Sequence, residues 1–277
     1  MEKKKPKTYA AMVKDEEDIR KNSMKLYSYL LCIAGKEPSG AGRIFQQKNL
    51  ICTQIKKCTG LDSKTIKLYL YELEKTGLIQ FKGKEQFMDI SEMDYQKPNG
   101  KLDKIKYRKA KEIEAFRVWK LRNKAEYYRI PRPERYTPIP EITLDKLNKV
   151  FQLNEIELKT YILCCTYRDI QVDLYGGLSK QITYENMRES LGKVEQHINL
   201  KIKKSLYLLK GLGLIDFKDG YYINCKGAKI ECFQLTEVNY YVTYNQNVWD
   251  ENNEINSEII KEAKNRLEQF NKDDFLF

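Results

Sequence analysis

Two short segments gather the side chains of this sequence best suited to recognising a polyanion. One carries Ser63, Lys64, Thr65, Lys67, Leu68 and Tyr71, the other Gln196, Asn199, Lys201, Lys203, Lys204 and Tyr207. A lysine ammonium is a point charge for phosphate, an asparagine or glutamine amide matches the N6/N7 edge of adenine, and a leucine can meet a thymine methyl. Lys82, Lys84 and Lys218 follow close behind, where a hairpin would carry them to a neighbouring stretch of backbone. The chemistry on offer is binding, of charge and of base edges.

Other chemistry is poorly served. A single histidine, His197, cannot build a paired-histidine metal site. Seven cysteines form no CxxC pair, and their odd number argues against a disulfide framework, so they read as small buried hydrophobes in a reducing compartment. There is no Walker loop and no GxSxG, and nothing marks out one of the 20 tyrosines as a nucleophile. The expectation is no catalytic residue, no metal and no cofactor. No signal peptide is evident, and no run approaches the roughly 18 apolar residues of a membrane span. The net charge of +11 favours a polyanionic partner, although a lysine-rich, AT-biased coding sequence gives the same balance. Its distribution is more informative: residues 97–135 hold 14 Lys/Arg against 5 Asp/Glu, and residues 250–277 hold 4 against 8.

The elements that must position these side chains show themselves as an internal repeat. A shift of 136 residues lays residues 66–82 (IKLYLYELEKTGLIQFK) over residues 202–218 (IKKSLYLLKGLGLIDFK), with ten of 17 positions identical. Ile66, Leu70 and Leu73, like Ile202, Leu206 and Leu209, are spaced for one helical face, and the pattern switches to period two after Gly77 and Gly213. Upstream, Leu50, Ile51 and Ile55 mark a short helix ending near Gly60, Asp62 or Ser63 caps the next, and residues 24–33 supply a supporting helix. Downstream, residues 78–82 and 85–90 around Gly83 and Lys84 predict a two-stranded hairpin. The second copy predicts helices over residues 156–167, over residues 184–191 capped by Thr183, and from after Gly192 to about Lys210. Lys218, Asp219, Gly220 and Tyr221 then read as a hairpin turn. Gly192 to Gly213 is four residues longer than Gly60 to Gly77, which lengthens either the turn or the third helix.

The text from Thr53 to Ile79, TQIKKCTGLDSKTIKLYLYELEKTGLI, resembles the winged helix superfamily. That resemblance implies a fold that is mainly α with small β-hairpin wings (α+β), in which each third helix lies in a DNA major groove and the lysines behind it sit on wings. Two such units joined by a basic helix resemble the two-winged-helix replication initiators of bacterial plasmids and phages. The implied protein binds double-stranded DNA sequence-specifically in the cytoplasm, with host replication proteins as further partners and a homodimer within reach. A transcription regulator using the same contacts is the alternative, and a protein-interaction module is a third reading.

The expected organisation is a basic arm over residues 1–14, where Lys3, Lys4, Lys5 and Lys7 can reach phosphates, then a first winged-helix domain over 15–95. A connector over 96–140 follows, then a second winged-helix domain over 141–245 and an acidic tail over 246–277. In the connector, residues 101–128 lack Pro and Gly and predict one helix of about 28 residues, near 42 Å long. Its imperfect stripe of Leu102, Ile105, Ile113 and Phe116 predicts packing on a domain or on a second chain. Pro131, Pro133, Pro138 and Pro140 then enforce extended backbone. The tail predicts an amphipathic helix over residues 255–270, and Asp273, Asp274, Phe275, Leu276 and Phe277 end the sequence on an acidic, aromatic note.

Overall fold

A computed structural model of the chain describes residues 9–13, 23–134, 136–149, 151–175, 181–192, 197–238 and 257–274. Gln196, the four lysines at positions 3–7 and residues 275–277 lie outside this set. The described elements run β1 (Tyr9–Val13), α1 (Met24–Ile33), β2 (Gly35–Lys36), β3 (Gly42–Gln46), α2 (Cys52–Thr59), α3 (Ser63–Lys75), β4 (Gln80–Lys82), α4 (Lys104–Leu121) and β5 (Tyr127–Pro131). They continue with β6 (Tyr136–Pro140), α5 (Glu141–Lys149), α6 (Glu155–Tyr175), β7 (Gln181–Thr183), α7 (Tyr184–Ser190), α8 (Ile198–Gly211), β8 (Ile215–Ile223), β9 (Lys229–Val238) and α9 (Ser257–Asp274). The class is mixed α+β. Among the described residues no helix is long and apolar enough to cross a membrane. Two compact units result: Leu26–Pro133 is inserted between the two segments of an outer unit, Met1–Lys25 and Glu134–Phe277.

In the inserted unit, Gly60 closes α2 in the left-handed conformation at φ 71°, which costs glycine nothing. Asp62 caps α3, its carboxylate accepting the N–H groups of Lys64 and Thr65 at 2.9 Å each. The helix then buries Ile66, Leu70 and Leu73 completely or nearly so. So far the chain follows its pattern, but β4 does not pair with residues 85–90. Its partner is β5, which arrives only after α4 and also pairs with β3, giving the order β2-β3-β5-β4. Residues 83–126 thus occupy the place of a hairpin loop, and no two-stranded wing forms around Gly83 and Lys84.

The 28-residue helix expected here is also shorter: α4 has 18 residues and ends where Arg122 turns to extended backbone at ψ 133°. Residues 127–131 belong to the sheet because they alternate, with Tyr128 and Ile130 buried between partly exposed neighbours. Tyr128 stacks on Phe45 of β3 (centroids 4.9 Å) and tilts against Phe81 of β4 (5.0 Å), so the late strand is held by aromatic pairs on both sides. Gly42 lets β3 come this close: a Cβ there would sit 2.4 Å from the Ile130 carbonyl oxygen.

The outer unit begins with a second correction, since part of the basic arm is a strand. Tyr9–Val13 pairs antiparallel with Tyr136–Pro140, whose prolines hold it extended as expected. The first long helix, α6, has 21 residues rather than about 12. Thr183 caps α7 as predicted, accepting the Asn186 N–H at 3.0 Å. At 14 residues α8 is only one longer than the 13-residue α3, so three of the four extra residues of this copy precede the helix. Its cap, His197, is exposed at φ 69°. Strands β8 and β9 pair straight through Lys218, Asp219, Gly220 and Tyr221. The turn closes farther out, where Asn224 Oδ1 accepts the N–H groups of Lys226 and Ala228. With β7 the sheet reads β7-β9-β8, the same first-third-second order as β3-β5-β4 in the inserted unit.

Candidate nucleic-acid interface

The candidate residues on α3 divide sharply. Ser63 is exposed, but Thr65 donates its hydroxyl to Asp62 at 3.0 Å and serves the cap. Lys64 pairs with Glu112 of α4 at 2.7 Å, and the Lys67 ammonium sits 4.6 Å from the Phe116 ring centre and 5.7 Å from that of Trp119. Lys111 of α4 reaches Glu72 of α3 at 3.3 Å. Helix α4 therefore lies along the face of α3 that the sequence assigns to a groove. Two residues expected to point outward are buried: Leu68 is 3 % exposed, and Tyr71 meets Phe87 edge-on at 5.0 Å with its phenol pushed up to about 12, chiefly by burial. Lys82 and Lys84 are exposed, at the end of β4 and just beyond it rather than on a hairpin tip.

A buried cation locks this cover in place. The Arg122 guanidinium donates to Glu74 of α3 at 2.8 Å, to the Tyr128 hydroxyl at 2.7 Å and to the Glu85 carbonyl at 3.0 Å. It also lies 3.7 Å from the Phe81 ring centre. Burial raises the Glu74 carboxyl above its ordinary range even though Arg122 pulls it down.

On α8 the candidates remain more accessible. Asn199, Lys201 and Lys204 are exposed in the first two turns, and Lys218 is exposed midway along β8, paired with Gln234. Lys203 and Tyr207 turn instead toward the sheet. Asp219 accepts the Lys203 ammonium at 2.9 Å, the Tyr207 hydroxyl at 3.1 Å and, through its other oxygen, the Tyr184 hydroxyl at 3.0 Å. Burial and the adjacent Asp219 carboxylate both push the two phenols up, Tyr207 to about 12, so neither is primed as a nucleophile. Asp219 reads in sequence as a turn residue, and its role as a clamp between α7, α8 and β8 has no local signature.

Lys201 and Lys204 also border a cavity of about 590 Å³ shared with Glu155, Glu157, Glu258 and Glu262. Glu155 accepts the N–H groups of Met24 and Lys25 at 3.0 and 3.1 Å, with Lys159 at 3.7 Å. Burial nevertheless pushes its carboxyl up to about 7, outweighing those donors. Arg266 of α9 anchors the far side by donating to Glu157 at 2.9 Å and to the Phe151 carbonyl at 3.0 Å. Among the described residues no cluster of three or more His, Cys, Asp or Glu could hold a metal ion. Neither a family model, nor a curated protein, nor a solved structure matches this chain.

Proposed function

We propose that the chain binds double-stranded DNA through its outer unit, built as a winged helix with α8 as reading helix and β8–β9 as wing. The observation that carries this reading is the order strand, helix, helix, hairpin from β7 to β9, with Asn199, Lys201 and Lys204 exposed on the first turns of the helix before the hairpin. Asn199 suits an adenine edge, and Lys201, Lys204 and Lys218 suit phosphates. The shared strand order of the inserted unit supports a second winged helix whose wing, β4–β5, has residues 83–126 in place of a tight turn. In that unit α3 is covered, so its part in binding is the positive field of α4, where seven Lys/Arg face two Glu. A sequence-specific binder of this kind, serving replication initiation of a plasmid or phage-like element, remains the role we favour.

Binding to duplex from the chain's own genetic neighbourhood, followed across a salt series, tests this. Asn199→Ala is expected to cost about 1–3 kcal/mol on the specific site alone. Lys204→Ala should weaken all duplexes and reduce the salt slope by about 1. Lys67→Ala should change neither. Duplex affinity indifferent to Asn199, Lys204 and Lys218 would overturn the proposal. A second reading, that the inserted unit is a protein-binding module, is favoured by the outward apolar side chains of α4.

A further inference from the structure

Helix α4 has two apolar faces, and only one is used. Ala115 and Val118 are buried within the inserted unit, whereas Ile105, Ile113 and Phe116 are 81 %, 63 % and 46 % exposed. With Lys109 and Lys120 these three recur at steps of four, four, three and four residues, which places all five on one side of the helix. The stripe is apolar at intervals and cationic between them: Lys106, Lys109 and Lys120 are exposed, and the Lys120 ammonium stands 4.3 Å from the Phe116 ring centre. Duplex DNA would satisfy the lysines, but its outer surface is phosphate and its thymine methyls lie inside the groove, so it leaves most of Ile105 and Ile113 uncovered. Another α4 would satisfy the apolar residues but set seven cations against seven.

The complementary surface is acidic and aromatic together, and this chain carries one in Asp273, Asp274, Phe275, Leu276 and Phe277. We infer that residues 273–277 of one copy dock on the outer face of α4 in a second copy. The two carboxylates pair with Lys109 and Lys120, and the aromatic and leucine side chains cover Ile113 and Phe116. Each copy offers both partners, so reciprocal exchange closes a symmetric dimer. The proposal does not depend on DNA, and its test uses none.

Sedimentation of the full chain over a concentration series should show reversible dimerisation. Lys109→Glu with Lys120→Glu should weaken it at least tenfold, as should Asp273→Lys with Asp274→Lys, and a chain carrying all four substitutions should dimerise again. A fluorescent peptide of residues 265–277 should bind the chain lacking residues 273–277, with at least tenfold weaker binding to Ile113→Ser. Ile113 is solvent-facing, so that variant keeps its fold, checked by an unchanged far-ultraviolet circular dichroism spectrum. A parent chain that stays monomeric, dimerisation indifferent to the charge pairs, or peptide binding indifferent to Ile113→Ser would overturn the proposal.

Discussion

Replacing Arg122 with methionine tests whether α4 is a folded cover or a separable connector. The Arg122 side chain is 1 % exposed and its guanidinium serves three acceptors on α3, on the segment after β4 and on β5. Methionine keeps much of the stem that packs against Phe81 and Phe87 but leaves Glu74, itself largely buried, without its cation. Glu74 Oε2 has no hydrogen-bond partner even with Arg122 present, so nothing else is poised to compensate. Removing one member of such a pair costs about 3–5 kcal/mol. The penalty has a pH signature. Loss of Arg122 raises the folded Glu74 carboxyl further above its unfolded value, so the variant's folded state binds the extra proton, and stability falls as pH rises between the two. The deficit should therefore shrink toward pH 5. Urea unfolding monitored by tryptophan fluorescence, at pH 5 and pH 7.5, reads both effects; with slopes of about 1–3 kcal/mol/M the midpoint should move by at least about 1 M at the higher pH. Arg122→Met with Glu74→Met should recover most of the loss, because it removes the stranded charge. A single variant within about 1 kcal/mol of the parent at pH 7.5 would refute the latch.

Leu68→Ala should cost about 2–5 kcal/mol in urea unfolding, as for a core leucine, whereas a groove-facing leucine would cost almost nothing. Asp219→Ala strands the Tyr184 and Tyr207 hydroxyls and should lower stability by about 1–3 kcal/mol, a loss that thermal melting detects and that an unchanged midpoint would contradict. Glu155 titrates near 7 in the fold against 4.5 for the free side chain, so the folded state holds the proton more tightly and stability should decline as pH rises from about 4.5 to about 7 and then level off. Glu155→Gln should flatten that window in a series of denaturation curves; an unaltered slope would remove Glu155 as its source.

The local grammar was legible where single turns decide it. The Gly60 and Gly77 termini, the Asp62 and Thr183 caps and the alternation around Phe81 and Phe217 are statements about neighbours a few residues apart, and the structure keeps them. What sequence spacing could not give was the partner of β4. Gly83 and Lys84 look like a hairpin turn, and the competing strand Tyr127–Pro131 wins because Tyr128 fills the space between Phe45 and Phe81. The alternation in Tyr127, Tyr128, Arg129, Ile130 and Pro131 was a usable signal, masked by a run of helix formers that gave no reason to stop at Leu121. Outward orientation on α3 failed for the same reason: Leu68 and Tyr71 are off the core stripe of a three-helix unit, but both are buried, Tyr71 against Phe87 of the segment between β4 and β5. On α8, Lys203 and Tyr207 turn to the sheet because Asp219 lies in a strand where the sequence suggests a turn.

The position of β5 in the sheet sets an order of events during synthesis. It lies between β3 and β4 in a four-stranded sheet, yet it is the last of the four to leave the ribosome, after β3 and β4 have waited through residues 83–126 with open edges. Meanwhile β1, made before the other described strands, waits still longer for Tyr136–Pro140. Closing such distant pairings makes folding slow relative to a chain of successive hairpins. A nascent chain arrested between residues 95 and 125 would carry α1, α2 and α3 beside an unfinished sheet, and this interval is where dependence on a chaperone should be greatest.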